Sequence, residues 1–377
     1  MTGPQRDARF VGATFTASRL WLGLCAYAGH RAHPFREPIV GGYSGVSNWW
    51  LNVWTTYDST YYLEIAQHGY RPLTCAFFPL YPLLLRPFAA DENVAAVAGI
   101  VVSNVSFLVG LWIVFRLATS QLGPAAGRRA VLALAFFPSA VFAMAVYTDA
   151  LFLMLSLAAL YSARLSRWWL AAIFGALAAL TRNAGPVLAA ALLVEWWMQR
   201  RDSRAQATLP SGLLLLSPML AFVAMQLYFR ARFGGVTLLD AQVAFGRAAS
   251  MPWTPIGRDL AEMMRHGPSL FSFVTLLNVG ASCFVFVFAW CFRARLAKAE
   301  SVLMVGIMLM QLGWSRTWPP YTISSMRYTL ATSAFPESLA LASLGRLSRP
   351  VEMGLAILGV LTSGVVAYLF GLKVFIS

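Results

Sequence analysis

Asp58, Glu64 and His68 lie within eleven residues in the stretch Trp-Thr-Thr-Tyr-Asp-Ser-Thr-Tyr-Tyr-Leu-Glu-Ile-Ala-Gln-His-Gly-Tyr, residues 54–70. Trp54, Tyr57, Tyr61, Tyr62 and Tyr70 surround them. Carboxylates and an imidazole at that density can take and hold protons, and tyrosines beside them suit a ligand that is part hydroxylated and part apolar. No Pro or Gly interrupts Asp58 to His68, so a short helix is expected there, stopped by Gly69. On that helix Asp58, Tyr61, Tyr62 and Ile65 share a face, whereas Glu64, six residues on, falls on roughly the opposite side. The same residue types also suit an amphipathic helix lying on a bilayer with its aromatics at the headgroups. At this point both readings stand.

A second set of charges sits in apolar surroundings. Asp149 lies in Ala-Val-Tyr-Thr-Asp-Ala-Leu-Phe, just after Tyr147, and Arg182 lies in Leu-Thr-Arg-Asn-Ala-Gly-Pro. An unpaired charge in an apolar membrane segment costs about 2.5–3.5 kcal/mol on insertion scales, so each is expected to pair. The pairing is either a salt bridge that locks the bundle or an arginine held for a ligand phosphate. Glu337, after Pro336, carries the same ambiguity, Glu195 is expected to be structural, and Arg327-Tyr328 opens a late apolar run. Phosphate loops of the G-x-x-x-x-G-K-[ST] type, H-E-x-x-H and G-x-S-x-G are all absent. His30 and His33 make a weak metal pair, and Cys25, Cys75, Cys283 and Cys291 have no Cys-x-x-Cys spacing. The cysteines are expected to be inert packing residues, and neither a metal nor a cofactor is expected.

The elements that must position these groups are membrane helices. Of 377 residues 59% are hydrophobic and 12% charged, against about 25% charged in soluble domains. The 29 Lys+Arg against 15 Asp+Glu give +14, which in this setting points to membrane lipid and not to nucleic acid. An all-α polytopic bundle of roughly nine to twelve membrane helices follows, at about 20 residues per span. The first apolar run, Phe10 to Gly29, is expected to be a retained first helix. Residues 30–92 then form a first outer loop with a helix, ending in an apolar segment that Pro79, Pro82 and Pro87 break. Asn93 to Phe115 is expected to span, followed by four short pieces: Ala130–Val146, Ala150–Ala163, Trp168–Leu180 and Ala184–Met198. Later spans are expected at Leu213–Phe229, Leu270–Phe292, Ser301–Trp314, Arg327–Leu344 and Met353–Leu372, with a second outer loop at 230–268. No linker or repeat marks a further domain, so residues 1–377 read as one. Arg density in the short loops puts the N-terminus in the cytoplasm, and Asp58, Glu64, His68, Asp149, Arg182 and Arg327 then share the outer side.

Asp58 within Tyr-Asp-Ser-Thr-Tyr-Tyr-Leu-Glu-Ile-Ala-Gln-His-Gly-Tyr, followed by Ala-Phe-Phe-Pro-Leu-Tyr-Pro-Leu-Leu-Leu-Arg, resembles the first luminal loop of the PIG-V type mannosyltransferases and their bacterial homologues. Phe137-Pro138-Ser139, Tyr147-Thr148-Asp149-Ala150-Leu151-Phe152, Leu180-Thr181-Arg182-Asn183-Ala184-Gly185 and Arg327-Tyr328 follow in a similar order. The resemblance spans most of residues 10–345. It implies a membrane glycosyltransferase of the GT-C superfamily, a polyprenyl-phosphate sugar donor (usually mannose), and a lipid or glycan acceptor. It also implies Asp58 as catalytic base. Arg182 and Arg327 would then clamp the phosphate, Asp149 would orient it, and Tyr61, Tyr62, Glu64, His68 and Tyr147 would line the substrate. The family often has Arg-Trp-Asp where this chain has Thr56-Tyr57-Asp58, and Glu where Asp149 stands. For a bacterial source the resemblance implies a plasma-membrane enzyme with its site outside. A lipid or sugar-lipid transporter is the alternative, since broken helices and midplane charges suit one, although no inverted repeat is visible. A catalytically silent scaffold is the third reading.

Overall fold

The computed structural model describes residues 3–32, 48–202, 207–332 and 348–373. Helix α1 covers Gly3–Ala32, α2 Asp58–His68, α3 Leu80–Leu85 and α4 Glu92–Leu122. Helix α5 covers Pro124–Ala135, α6 Asp149–Arg164, α7 Trp168–Ala179 and α8 Gly185–Arg201. Helix α9 covers Leu209–Leu214, α10 Ser217–Arg232, α11 Leu238–Ala244 and α12 Thr254–His266. Helix α13 covers Leu270–Cys291, α14 Lys298–Gly313, α15 Ser325–Thr332 and α16 Arg349–Gly371. Among the described residues the strands are β1 (Arg247–Ala249) and β2 (Trp314–Arg316), an antiparallel ribbon pairing Ala248 with Ser315. The chain is an all-α membrane protein.

Breakers and caps set the helix ends. Asp91 opens α4 by accepting from the amides of Asn93 (2.8 Å) and Val94 (3.0 Å), which satisfies donors a first turn leaves open. Gly123, at φ +87°, ends α4, and Pro124 starts α5 where its missing N–H is harmless. Among the described residues, four stretches are long and apolar enough to cross a bilayer: Glu92–Ser120, Leu209–Arg232, Leu270–Cys291 and Pro350–Gly371. Helix α1 has the length for it too, at 30 residues. Its mid-helix Arg19 lays the guanidinium 4.4 Å over the Phe107 ring of α4.

Several elements differ from the sequence expectation. The run Ala130–Val146 is not one helix: α5 stops at Ala135, and Phe136-Phe137-Pro138 leads into a 3₁₀ turn at Ala140–Ala143. Pro138 lacks the amide a continuing helix needs. The run Leu213–Phe229 is divided into α9 and α10 at Leu215-Leu216, ahead of Pro218. Residues 72–88 break as expected, into 3₁₀ turns at Pro72–Ala76 and Arg86–Phe88 around α3. The cysteines are free thiols, but Cys283 and Cys291 lie exposed on α13 and not in the packing. His33, Glu337 and the end of the span expected at Arg327–Leu344 lie outside the described residues.

The chain divides into two units. One comprises Met1–Gln67, Leu84–Leu157 and Ala334–Phe375; the other comprises His68–Leu83 and Ala158–Ser333. In the first, α1 lies against α16 at backbone contact. A Cβ at Gly29 would stand 2.1 Å from the Tyr368 carbonyl oxygen, so only glycine permits this approach. The Trp21 indole N–H donates to the Val360 carbonyl at 2.9 Å along the same seam. In the second, α7, α8, α10 and α14 pack together. At one end Arg164 pairs with Glu300, and Gln199 donates to the Ala163 carbonyl at 2.9 Å. Glu195 accepts from Gln199 at 2.9 Å, the structural role expected of it.

Candidate active site

Asp58 opens α2 at the end of a tightly held turn. Tyr57, immediately before it, has φ +57°, a left-handed conformation that a bulky side chain adopts only when its surroundings enforce it. Those surroundings are visible. The Tyr57 hydroxyl donates to the Lys373 carbonyl, and burial pushes the phenol's pKa well above its ordinary value. The Thr60 hydroxyl donates to the Tyr57 carbonyl at 2.9 Å, and the Ser59 hydroxyl to that of Trp54 at 3.3 Å. Gly69, at φ +81°, follows the end of α2, as its sequence implies.

This turn is bonded to the segment that precedes Asp149. The Val146 amide donates to the Trp54 carbonyl at 3.0 Å, and the Tyr147 hydroxyl to the Thr56 carbonyl at 3.0 Å. The hydroxyls of Tyr62 and Thr148 meet at 3.3 Å, and Ser103 of α4 donates to the Tyr147 carbonyl at 3.1 Å. Asp149 then opens α6 with no exposed surface. The first unit therefore holds two carboxylates at the starts of two helices whose approach segments share two hydrogen bonds, with a third from Tyr62 of α2. Asp58, Tyr61 and Glu64 are half-buried, whereas Tyr62 and Tyr147 are buried. Accessibility alone thus does not separate Asp58 from Glu64, although the six-residue offset turns them apart around α2.

The second unit holds the arginines. Arg182 sits in the turn between α7 and α8 and Arg327 in the first turn of α15; both are buried. The Arg182 guanidinium stacks 4.5 Å over the ring of Tyr328, which brings the two arginine-bearing segments together. The approach to Arg327 is built from buried polar side chains. Asp259 of α12 accepts from the amides of Tyr321 (2.8 Å) and Thr322 (2.8 Å) and from the Thr322 hydroxyl (2.6 Å). Gln311 of α14 donates to the Ile323 carbonyl at 3.0 Å, and Asn278 of α13 accepts from the Met326 amide at 3.0 Å. Burial raises the Asp259 pKa against the opposing pull of these donors. Ser324, at φ +71°, precedes α15 as Tyr57 precedes α2.

The stretch 54–82, continuous in sequence, divides between the units after Gln67. Asp58, Tyr61, Tyr62, Glu64, Tyr147 and Asp149 belong to the first, and His68, Arg182 and Arg327 to the second. His68 is exposed at the end of α2. Beyond it, Tyr70 lies 4.8 Å from Phe229 and donates to the Phe77 carbonyl at 3.0 Å, within a core of Cys75, Phe78, Met225, Phe229, Leu238 and Ala241. Sequence reasoning did not single out Asp259, Asn278 or Gln311. The signal was available: a lone amide in an apolar run is under the same pressure to find a partner as a lone arginine. Among the described residues no three His, Cys, Asp or Glu side chains gather in a group able to hold a metal ion.

A family model described as mannosyltransferase (PIG-V) matches residues 36–233, a span that contains α2, the start of α6 and the Arg182 turn. Neither the curated proteins nor the solved structures contain a match.

Proposed function

Since this chain belongs to the PIG-V mannosyltransferase family, we propose that it transfers a mannosyl group from a polyprenyl-phosphate donor to a hydroxyl acceptor, lipid or glycan. The site is proposed to face outward at the plasma membrane. The donor has an apolar chain that suits a helical membrane protein, a phosphate that needs cations, and a sugar that needs polar and aromatic groups. Asp58 acts as base. It removes the acceptor hydroxyl proton while the acceptor oxygen bonds to the anomeric carbon, and the bond from that carbon to the phosphate oxygen breaks. The electron pair leaves with the polyprenyl phosphate. The transition state is oxocarbenium-like, and a well-placed base contributes about 10²–10⁴-fold. Arg182 and Arg327 neutralise the phosphate in the donor and on departure, Asp149 serves to orient the substrate, and Tyr61, Tyr62, Glu64, His68 and Tyr147 line it.

The observation that carries this reading is the strained turn at Tyr57-Asp58. A carboxylate held by hydrogen bonds from Tyr147 and Val146 to its own approach segment is pre-organised, as a base must be. The experiment is transfer in micelles: purified protein with a polyprenyl-phosphate mannose and candidate hydroxyl acceptors is expected to give a new glycosidic product. Movement of the donor lipid across a vesicle without such a product would replace this reading with a transporter.

A further inference from the structure

Helix α12 has two faces of opposite character. Pro255 and Asp259 are buried against the second unit. Opposite them, Trp253 (70% exposed), Gly257, Leu260 (44%) and Met264 (81%) follow at i, i+4, i+7 and i+11, one continuous apolar stripe. Met251 extends it, also exposed. The basic side chains beside the stripe, Arg258, Arg265 and His266, are exposed, whereas the carboxylates of the helix, Asp259 and Glu262, are turned inward. Arg265 and His266 reach Glu262 at 2.9 and 3.5 Å. Arg258, 5.5 Å from the Tyr321 ring, and Arg265, paired with Glu262, are thus the arginines that α12 exposes outside its apolar stripe.

What covers this stripe follows from the next element. Gly267, at φ +63°, ends α12, and Ser269 caps α13 by accepting from the Ser272 amide at 3.1 Å. Helix α13 is one of the four stretches apolar enough to span, and Leu270, Phe273 and Leu276 are exposed in its first turns. Three residues separate the two helices, so the C-terminal end of α12 lies near the start of α13. Exposed apolar side chains thus occur on both helices, on either side of this short link.

We propose that α12 is an interfacial helix, seated at the headgroup–acyl boundary of the leaflet in which α13 begins. Trp253, Leu260 and Met264 enter the acyl layer, and Arg258 and Arg265 meet lipid phosphates. The seating reaches the candidate site through Asp259, whose three hydrogen bonds hold Tyr321 and Thr322, six and five residues before Arg327. The bilayer thereby sets the level of that segment.

The test uses the full chain with its four cysteines replaced, reconstituted in vesicles of phosphatidylcholine and phosphatidylglycerol. Single cysteines at Met264→Cys and, separately, Leu260→Cys carry an environment-sensitive fluorophore. Lipid-borne nitroxides near the carbonyl end of the acyl chain are expected to quench both labels, at least about twofold more than nitroxides near the chain end, with aqueous iodide excluded. Adding Trp253→Glu is expected to weaken the lipid quenching at residue 264. Labels open to iodide and untouched by lipid nitroxides would overturn the proposal. So would efficient Met264→Cys cross-linking between two chains, which would make the stripe a contact between copies. None of these readouts depends on sugar transfer, so the seating stands or falls independently of the proposed function.

Discussion

At the scale of single residues, the candidate site is made of side chains whose positions are over-determined. Arg182 is buried and stacked on Tyr328. Arg182→Lys keeps the charge but loses the planar fork and the stacking surface. It is expected to weaken donor binding by roughly tenfold or more while the protein stays folded, as read by titration with a polyprenyl-phosphate sugar. Wild-type affinity with only a lowered melting temperature would return Arg182 to a packing role. Ser324 provides a second test, of backbone strain. At φ +71° it is expected to accept glycine with little loss or a small gain in stability, whereas Ser324→Val should cost more than about 1 kcal/mol in unfolding measurements. Equal stability of the two variants would show that this conformation is not enforced.

At the scale of elements, packing rests on close approaches that larger residues forbid. Gly29→Ala would place a methyl 2.1 Å from the Tyr368 carbonyl oxygen, against backbone that cannot swing aside. It is expected to lower stability by about 1–3 kcal/mol, measured by thermal unfolding in micelles, because α1 and α16 must part. An unchanged melting temperature would mean that the seam does not hold the first unit. Which elements were legible in the sequence follows the same physics. Helix α2 was readable to the residue because nothing between Asp58 and His68 breaks it and Gly69 does. The end of α5 was not, because Phe136-Phe137 continue the apolar run while Pro138 removes the next amide. Hydropathy reports burial, and here burial continues through a non-helical turn.

At the scale of the whole molecule, composition made the membrane class legible; lone charges in apolar runs drew attention to Asp149 and Arg182, and the resemblance to the PIG-V family gave these, Asp58 and Arg327 their expected roles. What sequence reasoning missed were the supports: Asp259, Asn278 and Gln311 are single polar residues whose partners are backbone groups remote in sequence. The division of residues 54–82 between two units was equally invisible, since nothing in composition changes at Gln67. Topology can be read directly. Ala90 and Ala125 flank α4, 31 residues or about 46 Å long, which puts them on opposite sides of a bilayer. In a cysteine-free background, an impermeant thiol reagent is expected to label Ala90→Cys on intact cells and Ala125→Cys only after lysis; the reverse pattern would put Asp58 on the cytoplasmic side. The most direct test of the account is the transfer rate of Asp58→Asn beside Glu64→Gln, with a saturating polyprenyl-phosphate mannose donor. Asp58→Asn is expected to lose about 10²–10⁴-fold in turnover with donor binding intact, and Glu64→Gln far less. Transfer at the parent's rate by Asp58→Asn, with activity abolished in Glu64→Gln, would contradict the assignment of the base.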